Sequence, residues 1–332
     1  MTSRYESKTV LLTGAGGPAI SGMISILRKW GYHIVAIDML PFASGFYLAD
    51  RAYVVPAGNA PDFLTRLKEI CLIENVDAVI SVVDEELAHV LELEEMGITV
   101  IQPRLPFIRF SLDKLHCMRE LRAAGINAPQ TWLLSEVPED AAFPLFIKPR
   151  VGRGSRGCGK VNSLDELKTF VSKSSYAPNQ LLAQTFIHGT EFTVSVVVWR
   201  DGEVQAVVPK QIFSKIGVTK AAISRRNSKI DSLCKAIQAH FNADGPFNVQ
   251  LMLDVNGEPW PFEINPRFST SITLTNAAGV DELGGLLSQA LFGRESYHVP
   301  DWQEGVVLIR HTTDQFIDEC QFKRINLTFG DD

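Results

Sequence analysis

The residues best suited to chemistry lie in the last quarter of the chain. Phe262-Glu263-Ile264-Asn265-Pro266-Arg267 reads as a strand, and Asn248-Val249-Gln250-Leu251-Met252 as its predecessor, joined across an Asp254-Val255-Asn256-Gly257 turn. Side chains alternate across a strand, so Glu263 and Asn265 face the same way, and an antiparallel partner aims Gln250 at the same point. Three oxygen donors then converge. Magnesium takes hard oxygen ligands, keeps several waters and is usually held by one or two carboxylates with phosphate oxygens, so this set suits magnesium ATP. Arg267, two residues on and on the same face, is placed to neutralise a phosphoryl group in transfer. The hairpin alone leaves open a plainer reading, a buried edge carboxylate paired with its neighbouring arginine.

A second candidate lies upstream. Pro144-Leu145-Phe146-Ile147-Lys148-Pro149 reads as a strand ending in a lysine, followed by the basic stretch from Arg150 through Gly152, Gly154 and Gly157 to Gly159. Its glycines free the backbone to wrap phosphate oxygens, while Arg153, Ser155 and Arg156 offer side-chain donors. The letters match G-x-G-x-x-G. Yet Lys160-Val161-Asn162 looks like a returning strand and the next helix begins near Ser163, which makes a hairpin flap; a dinucleotide turn would open directly into a helix. A solvated basic loop is the alternative. Gln180 to Glu191 then leads into the alternating strand Phe192 to Arg200, an Asp201-Gly202 turn and a return over Val204 to Pro209. A strand edge can read an adenine, and a carboxylate just beyond a glycine can bind ribose hydroxyls. The stretch Ser214 to Asn227, expected to be a loop, gathers Lys215, Lys220, Arg225 and Arg226 as anchors for a substrate carboxylate, or as a solvated basic loop. Ser269 and Thr270 can line the same cleft, although Ser and Thr also begin helices.

These groups need a scaffold. Over the first hundred residues, strands (Val10 to Leu12, His33 to Ile37, Ala52 to Val55, Ala78 to Val83, Thr99 to Ile101) alternate with helices (Pro18 to Trp30, Pro61 to Glu74, Glu85 to Met96). That pattern predicts a parallel, doubly wound α/β sheet. Within it, Gly14-Ala15-Gly16-Gly17-Pro18-Ala19, with Asp38 after the second strand, imitates a dinucleotide fingerprint. A glycine turn feeding a helix serves any anion, or simply close packing, and nothing downstream supplies hydride-transfer chemistry. After Pro103 and Pro106 the character changes, which places a boundary near Arg104. A helix is expected from Ser111 to about Ala124, capped by Ser111 or Asp113 and stopped at Gly125.

Composition narrows the function classes. At 332 residues and 45% hydrophobic, the chain can fill two or three compact units. A formal charge of -6 provides no general basic field, which argues against nucleic acid as a partner. The five cysteines are scattered and without a C-x-x-C pair, which argues against disulfides and zinc and fits a reducing cytoplasm. The N-terminus is polar and no apolar run spans a bilayer, so no membrane attachment is expected.

Asp113-Lys114, the Lys148-Pro149 strand with its glycine flap, Gln184 to Glu191, and Asn248-Val249-Gln250 through Glu263-Ile264-Asn265-Pro266-Arg267 occur in an order that resembles the ATP-grasp superfamily. The similarity is closest to one synthetase half of the carbamoyl-phosphate synthetase large subunit and runs from Leu105 to Phe292. It implies a Rossmann-like N-terminal domain over residues 1–104, a central subdomain with the flap over 105–178, an α+β C-terminal lobe with the magnesium ATP site over 179–300, and an extension over 301–332. The resemblance further implies that Lys114 and Lys148 contact ATP phosphates, that the loop from Gly152 to Gly157 closes over them, that Gln184 and the backbone near Phe186 face adenine, and that Glu191 holds the ribose. Gln250, Glu263 and Asn265 would be ligands for one or two Mg2+ ions, replaceable by Mn2+, with Arg267 on phosphate or intermediate. Thr270 and Thr219 stand where bicarbonate-using synthetases carry an arginine and a histidine, so another carboxylate is the expected substrate. The expected activity is ligation of a small carboxylate to an amine through an acyl phosphate, in a chain that can pair as a homodimer. A metabolite kinase and a non-catalytic nucleotide-binding protein are the alternatives.

Overall fold

A computed structural model describes residues 8–152, 154 and 156–326 of the chain. Its first sheet is built from short apolar runs: β1 (Thr9–Leu12), β2 (His33–Asp38), β3 (Arg51–Val54), β4 (Ala78–Ile80) and β5 (Thr99–Val100), all parallel in the order β3-β2-β1-β4-β5. Val10 and Leu12 pack with α1 (Ile20–Lys29), and Leu11 with α2 (Phe63–Ile73) on the opposite face. Cover on both faces is why such strands are hydrophobic throughout. Strand order reverses between β1 and β4, so the turns that follow them flank a crevice at the carboxyl ends of the strands. The helix expected over Glu85 to Met96 divides into α3 (Leu87–Val90) and a 3₁₀ run (Leu91–Met96). Leu87, Val90 and Leu93 are its fully buried side chains, and a spacing of three suits the three-residue turn.

A helix that the sequence reading did not anticipate, α4 (Leu105–Leu112), precedes α5 (Lys114–Ala123). Pro106 sits in its first turn, where a missing N–H costs nothing, and so opens the helix where the sequence reading expected a break. Ser111 therefore lies inside α4 and its Oγ donates to the Phe107 carbonyl at 2.6 Å. Asp113 alone caps α5, accepting from the Leu115 and His116 amides at 3.1 and 3.2 Å.

Two antiparallel sheets follow. The smaller contains β6 (Thr131–Leu133), β7 (Leu145–Pro149), β8 (Gly159–Val161) and β9 (Leu181–Thr185) in the order β6-β9-β7-β8, with α6 (Leu164–Lys173) packed on it through Leu167. The larger orders β14 (Pro259–Asn265), β13 (Phe247–Asp254), β10 (Gly189–Val198), β11 (Val204–Ile216), β12 (Val218–Ser224) and β15 (Val307–Ile309) from edge to edge. Its central strand shows the alternation expected of a covered sheet. Val194, Val196 and Val198 pack with α4, α5 and α7 (Ser228–Phe241), whereas Val197 packs with α1, α8 (Ile272–Ala277) and α9 (Glu282–Phe292). The expected loop from Ser214 to Asn227 is instead a long hairpin, β11 to β12, turning at Gly217 with φ of +68°. Helix α10 (Glu319–Asn326) lies against β3 and stacks Phe322 on Phe42 of the N-terminal domain.

Buried Lys210 on β11 locks the large sheet to the helices below it. Its ammonium donates to Ser195 Oγ at 2.7 Å and Thr275 Oγ1 at 2.9 Å, while Ser195 Oγ donates to Glu282 Oε1 at 2.8 Å. This ties β10 and β11 to α8 and α9 and fixes the segment that leaves β14. No described helix is long and apolar enough to cross a membrane.

Candidate functional site

A cavity of about 400 Å³ lies between the two antiparallel sheets. Lys114, Lys148, Gly154, Gln184, Phe186, Glu191, Gln250 and Glu263 all line it, drawn from α5, β7, the flap, β9, the turn before β10, β10 itself, and the β13–β14 hairpin. Phe146, Ile187, Met252 and Phe262 add apolar walls of the kind that hold a purine. Gly157 faces an adjoining groove; Asn265 ends β14 and Arg267 follows it, both outside the cavity lining. Arg153 and Ser155 fall outside the described residues.

The two lysines are held by different means. Lys148 is buried near the end of β7, donating to the Phe262 carbonyl at 2.8 Å and to Gln184 Oε1 at 3.0 Å. Gln184 in turn donates from Nε2 to Thr131 Oγ1 at 2.8 Å. Its amide is thus committed to orienting Lys148. Lys114, at the first turn of α5, donates to the Gly152 carbonyl at 2.6 Å and so pins the root of the flap. Burial pushes the Lys148 ammonium down to about 8, against the support of Glu263 and with Lys114 adding to the fall.

This pKa carries a testable pH dependence. A polyphosphate binds the charged ammonium, so nucleotide affinity should be full below about pH 8 and fall as pH rises through it, by up to about tenfold per unit until the bound-state pKa is passed. Titrations of ATP binding from acid to alkaline pH should show this slope in the wild type and lose it in Lys148→Met.

The hairpin brings the predicted oxygen donors together by register. Gln250 stands directly across from Glu263, and Asn248 across from Asn265, with an irregularity between Gln250 and Leu251. Glu263 is half-buried, and among the described residues its carboxylate has neither a hydrogen bond nor an ion pair. Asn265 accepts from Arg267 Nη2 at 3.3 Å through Oδ1, while its buried Nδ2 has no acceptor among the described residues. One uncommitted carboxylate, two amide oxygens and an unpaired buried donor fit a magnesium ion with phosphate oxygens beside it. Asp254, in the turn, accepts from the Asn256 and Glu258 amides and Trp260 Nε1, a purely local task.

Arg267 and Arg310 face the crevice of the N-terminal sheet. Arg267 Nε donates to Asp84 Oδ1 at 2.6 Å, just beyond β4, with both side chains mostly buried. Arg310, after β15, donates from Nη2 to the Thr270 carbonyl at 2.7 Å and from Nη1 to the Pro18 carbonyl in the N-terminal glycine turn; its Nε is buried without an acceptor among the described residues. The glycine turn itself is not arranged for a pyrophosphate. Asp38 accepts from the Gly16 amide at 2.7 Å and the Leu40 amide at 2.8 Å, placing a carboxylate where a phosphate would have to sit.

Among the basic residues expected to anchor a carboxylate, the hairpin separates them. Arg226 stacks on Trp302 and pairs with Asp301 at 2.8 Å, remote from the cavity lining. Lys220 and Arg225 also lie outside that lining, Lys220 on β12 beside Arg310 through the Arg310 amide to Lys220 carbonyl bond of 2.8 Å. Ser269 is buried and bonded to Ser271 at 2.9 Å, and Thr270 offers only its carbonyl to Arg310. Lys215, by contrast, reaches the cavity and meets Glu191 and Gln250. Of the four basic residues named from the sequence, Lys215 is thus the one that lines the cavity, and register breaks on either side of Ser214 precede it.

Comparison with known proteins agrees with this architecture. Residues 10–101 match the PylC-like N-terminal domain, and residues 111–271 match the ATP-grasp domain. A carbamoyl-phosphate synthase of Methanobrevibacter smithii is 24% identical over 289 residues, covering 80% of this chain and 76% of that one. An L-amino acid ligase from Bacillus licheniformis superposes with a TM-score of 0.69 at 18% identity, over 89% of this chain and 78% of the ligase. The biotin carboxylase domain of Hydrogenobacter thermophilus 2-oxoglutarate carboxylase, solved as a dimer with ADP, its magnesium salt and bicarbonate, gives 0.73 at 20% identity over 90% and 73%. The chain therefore carries an ATP-grasp domain over residues 111–271 behind a PylC-like N-terminal domain over residues 10–101.

Proposed function

We propose that this protein joins a small carboxylate to an amine at the expense of ATP. The observation that carries the reading is the convergence of Lys114, Lys148, Gln250 and Glu263 on one cavity, with Asn265 and Arg267 leading from it toward the N-terminal crevice. The nucleotide lies in that cavity with adenine among Phe146, Ile187 and Met252, ribose toward Glu191, and phosphates toward Lys148 and Lys114. Glu263, Gln250 and Asn265 hold Mg2+, which when bound screens the phosphate charge and fixes its geometry. The substrate carboxylate sits at the crevice, where the buried Nε of Arg310, without an acceptor among the described residues, offers it a donor.

In the first step a carboxylate oxygen attacks the γ-phosphorus, the bond to the bridging β,γ-oxygen breaks, and ADP leaves. In the second the amine nitrogen attacks the acyl carbon, the carbon–oxygen bond to phosphate breaks, and the amine surrenders a proton. Lys148, Lys114 and Arg267 neutralise charge in both steps, and no side-chain nucleophile is needed. A homodimer is part of this proposal, supported by the dimeric biotin carboxylase domain of the same fold.

The test is ADP release from magnesium ATP in the presence of hydroxylamine, across pooled amino acids, short peptides and other small carboxylic acids, with products read by mass. A hydroxamate is the expected result and identifies the acyl donor. A stable phosphorylated compound with no hydroxamate would make the protein a kinase instead.

A further inference from the structure

Lys215 sits two residues before the Gly217 turn of the β11–β12 hairpin. Two register breaks, between Ile212 and Ser214 and between Ser214 and Lys215, redirect the end of β11. Bulges of this kind re-aim a side chain, and the Lys215 ammonium reaches back across the sheet. It donates to Glu191 Oε1 on β10 at 2.6 Å and to Gln250 Oε1 on β13 at 3.0 Å. Three strands thus contribute to one small cluster, with all three side chains lining the nucleotide cavity. The hairpin tip also approaches the flap, since a side-chain carbon on Gly217 would lie 3.8 Å from the Gly154 carbonyl oxygen.

We propose that Lys215 is a cation latch on the metal and ribose end of the nucleotide site. The inference rests on the reading of Gln250 as a metal ligand and Glu191 as a ribose ligand. An amide oxygen that accepts from an ammonium presents that cation at the point a divalent ion must occupy. Ligation of both would bring a dication and an ammonium within ~4 Å, where like charges repel strongly even at a partly solvated site. Mg2+ therefore binds only as Lys215 leaves, and ribose hydroxyls take Glu191 by the same exchange. The hairpin tip moves with it, because Lys215 is the side chain that ties this end of β11 to β10 and β13. Lys215 is the chain's own placeholder for the metal, and it sets how much Mg2+ the site requires.

The experiment uses the full chain and needs no knowledge of the carboxylate. Calorimetric titration of ADP is run at a series of free Mg2+ concentrations on wild type, Lys215→Met and Lys215→Arg. Met keeps the aliphatic stem without the charge; Arg keeps the charge. The half-saturating Mg2+ concentration should fall about fivefold to tenfold in Lys215→Met, the size expected for one partly buried ion pair, and stay near the wild-type value in Lys215→Arg. Thermal melting confirms that each variant is folded. Magnesium-dependent binding that is unchanged or weaker in Lys215→Met overturns the latch while leaving the nucleotide site standing. Failure of the wild type to bind ADP with Mg2+ at all would overturn both the site assignment and the latch built on it.

Discussion

Replacing Glu263 with glutamine should lower magnesium-dependent ATP turnover at least about a hundredfold while leaving the thermal melt nearly unchanged. The carboxylate is half-buried and, among the described residues, makes no hydrogen bond or ion pair that an amide would forfeit. An isosteric exchange at such a position usually costs within about 0.5 kcal/mol. Its chemical consequence is large by comparison. Glu263 is the one carboxylate of the three donors that register brings together, and its charge also helps to keep the buried Lys148 protonated. Loss of that charge should move the fall in nucleotide affinity to lower pH, because the Lys148 ammonium would lose its main electrostatic support. ADP release against Mg2+ concentration, melting curves and the pH profile together check this. Normal turnover in the variant would remove the β13–β14 hairpin from the catalytic assignment, and a strongly lowered melt would turn Glu263 into a structural residue.

The second large effect concerns stability. Arg267→Ala should destabilise the fold by about 3–5 kcal/mol, since it strands the mostly buried Asp84 carboxylate without its partner. The pair joins the turn after β4 to the end of β14, so the loss should loosen the seating of the N-terminal sheet on the ATP-grasp domain. Asp84→Asn combined with Arg267→Met should recover much of that stability, because no unpaired charge remains, while turnover stays lost. Denaturant unfolding of the single and double variants measures the coupling. A cost below about 1 kcal/mol for Arg267→Ala would mean that water compensates Asp84 and that the contact is a surface pair in energetic terms. Arg267→Lys separates the two roles. It keeps a charge for Asp84 but not the planar fork that a transferring phosphoryl group uses, so stability should return further than activity.

The N-terminal sheet and the paired strands of the nucleotide site were legible in the sequence for a local reason. Val10 to Leu12, Ile34 to Ile37 and Ala78 to Ile80 are unbroken apolar runs, as strands covered on both faces require. The Asp254 to Gly257 turn sets its flanks antiparallel, but its register alone would place Gln250 opposite Phe262; the irregularity between Gln250 and Leu251 is what brings Gln250 opposite Glu263. The same locality misleads at α4, where Pro106 looks like a break, and in the β11–β12 hairpin, where two bulges spoil the alternation and basic residues look like a loop.

By itself, then, the sequence determined the α/β class, the order of most strands and helices, and the turn that makes the β13–β14 hairpin, because each depends on spacing within a few residues of chain. Only the tertiary structure decided what those side chains do to one another. It committed Gln184 to orienting Lys148, set Asp38 over the glycine turn, joined Arg267 to Asp84 183 residues away, and laid Arg310 between Thr270 and Pro18. It also put Lys215 on Glu191 and Gln250. Such contacts link separate sheets through side chains whose reach and direction follow from twist, bulges and packing of the whole chain, quantities that no local pattern encodes.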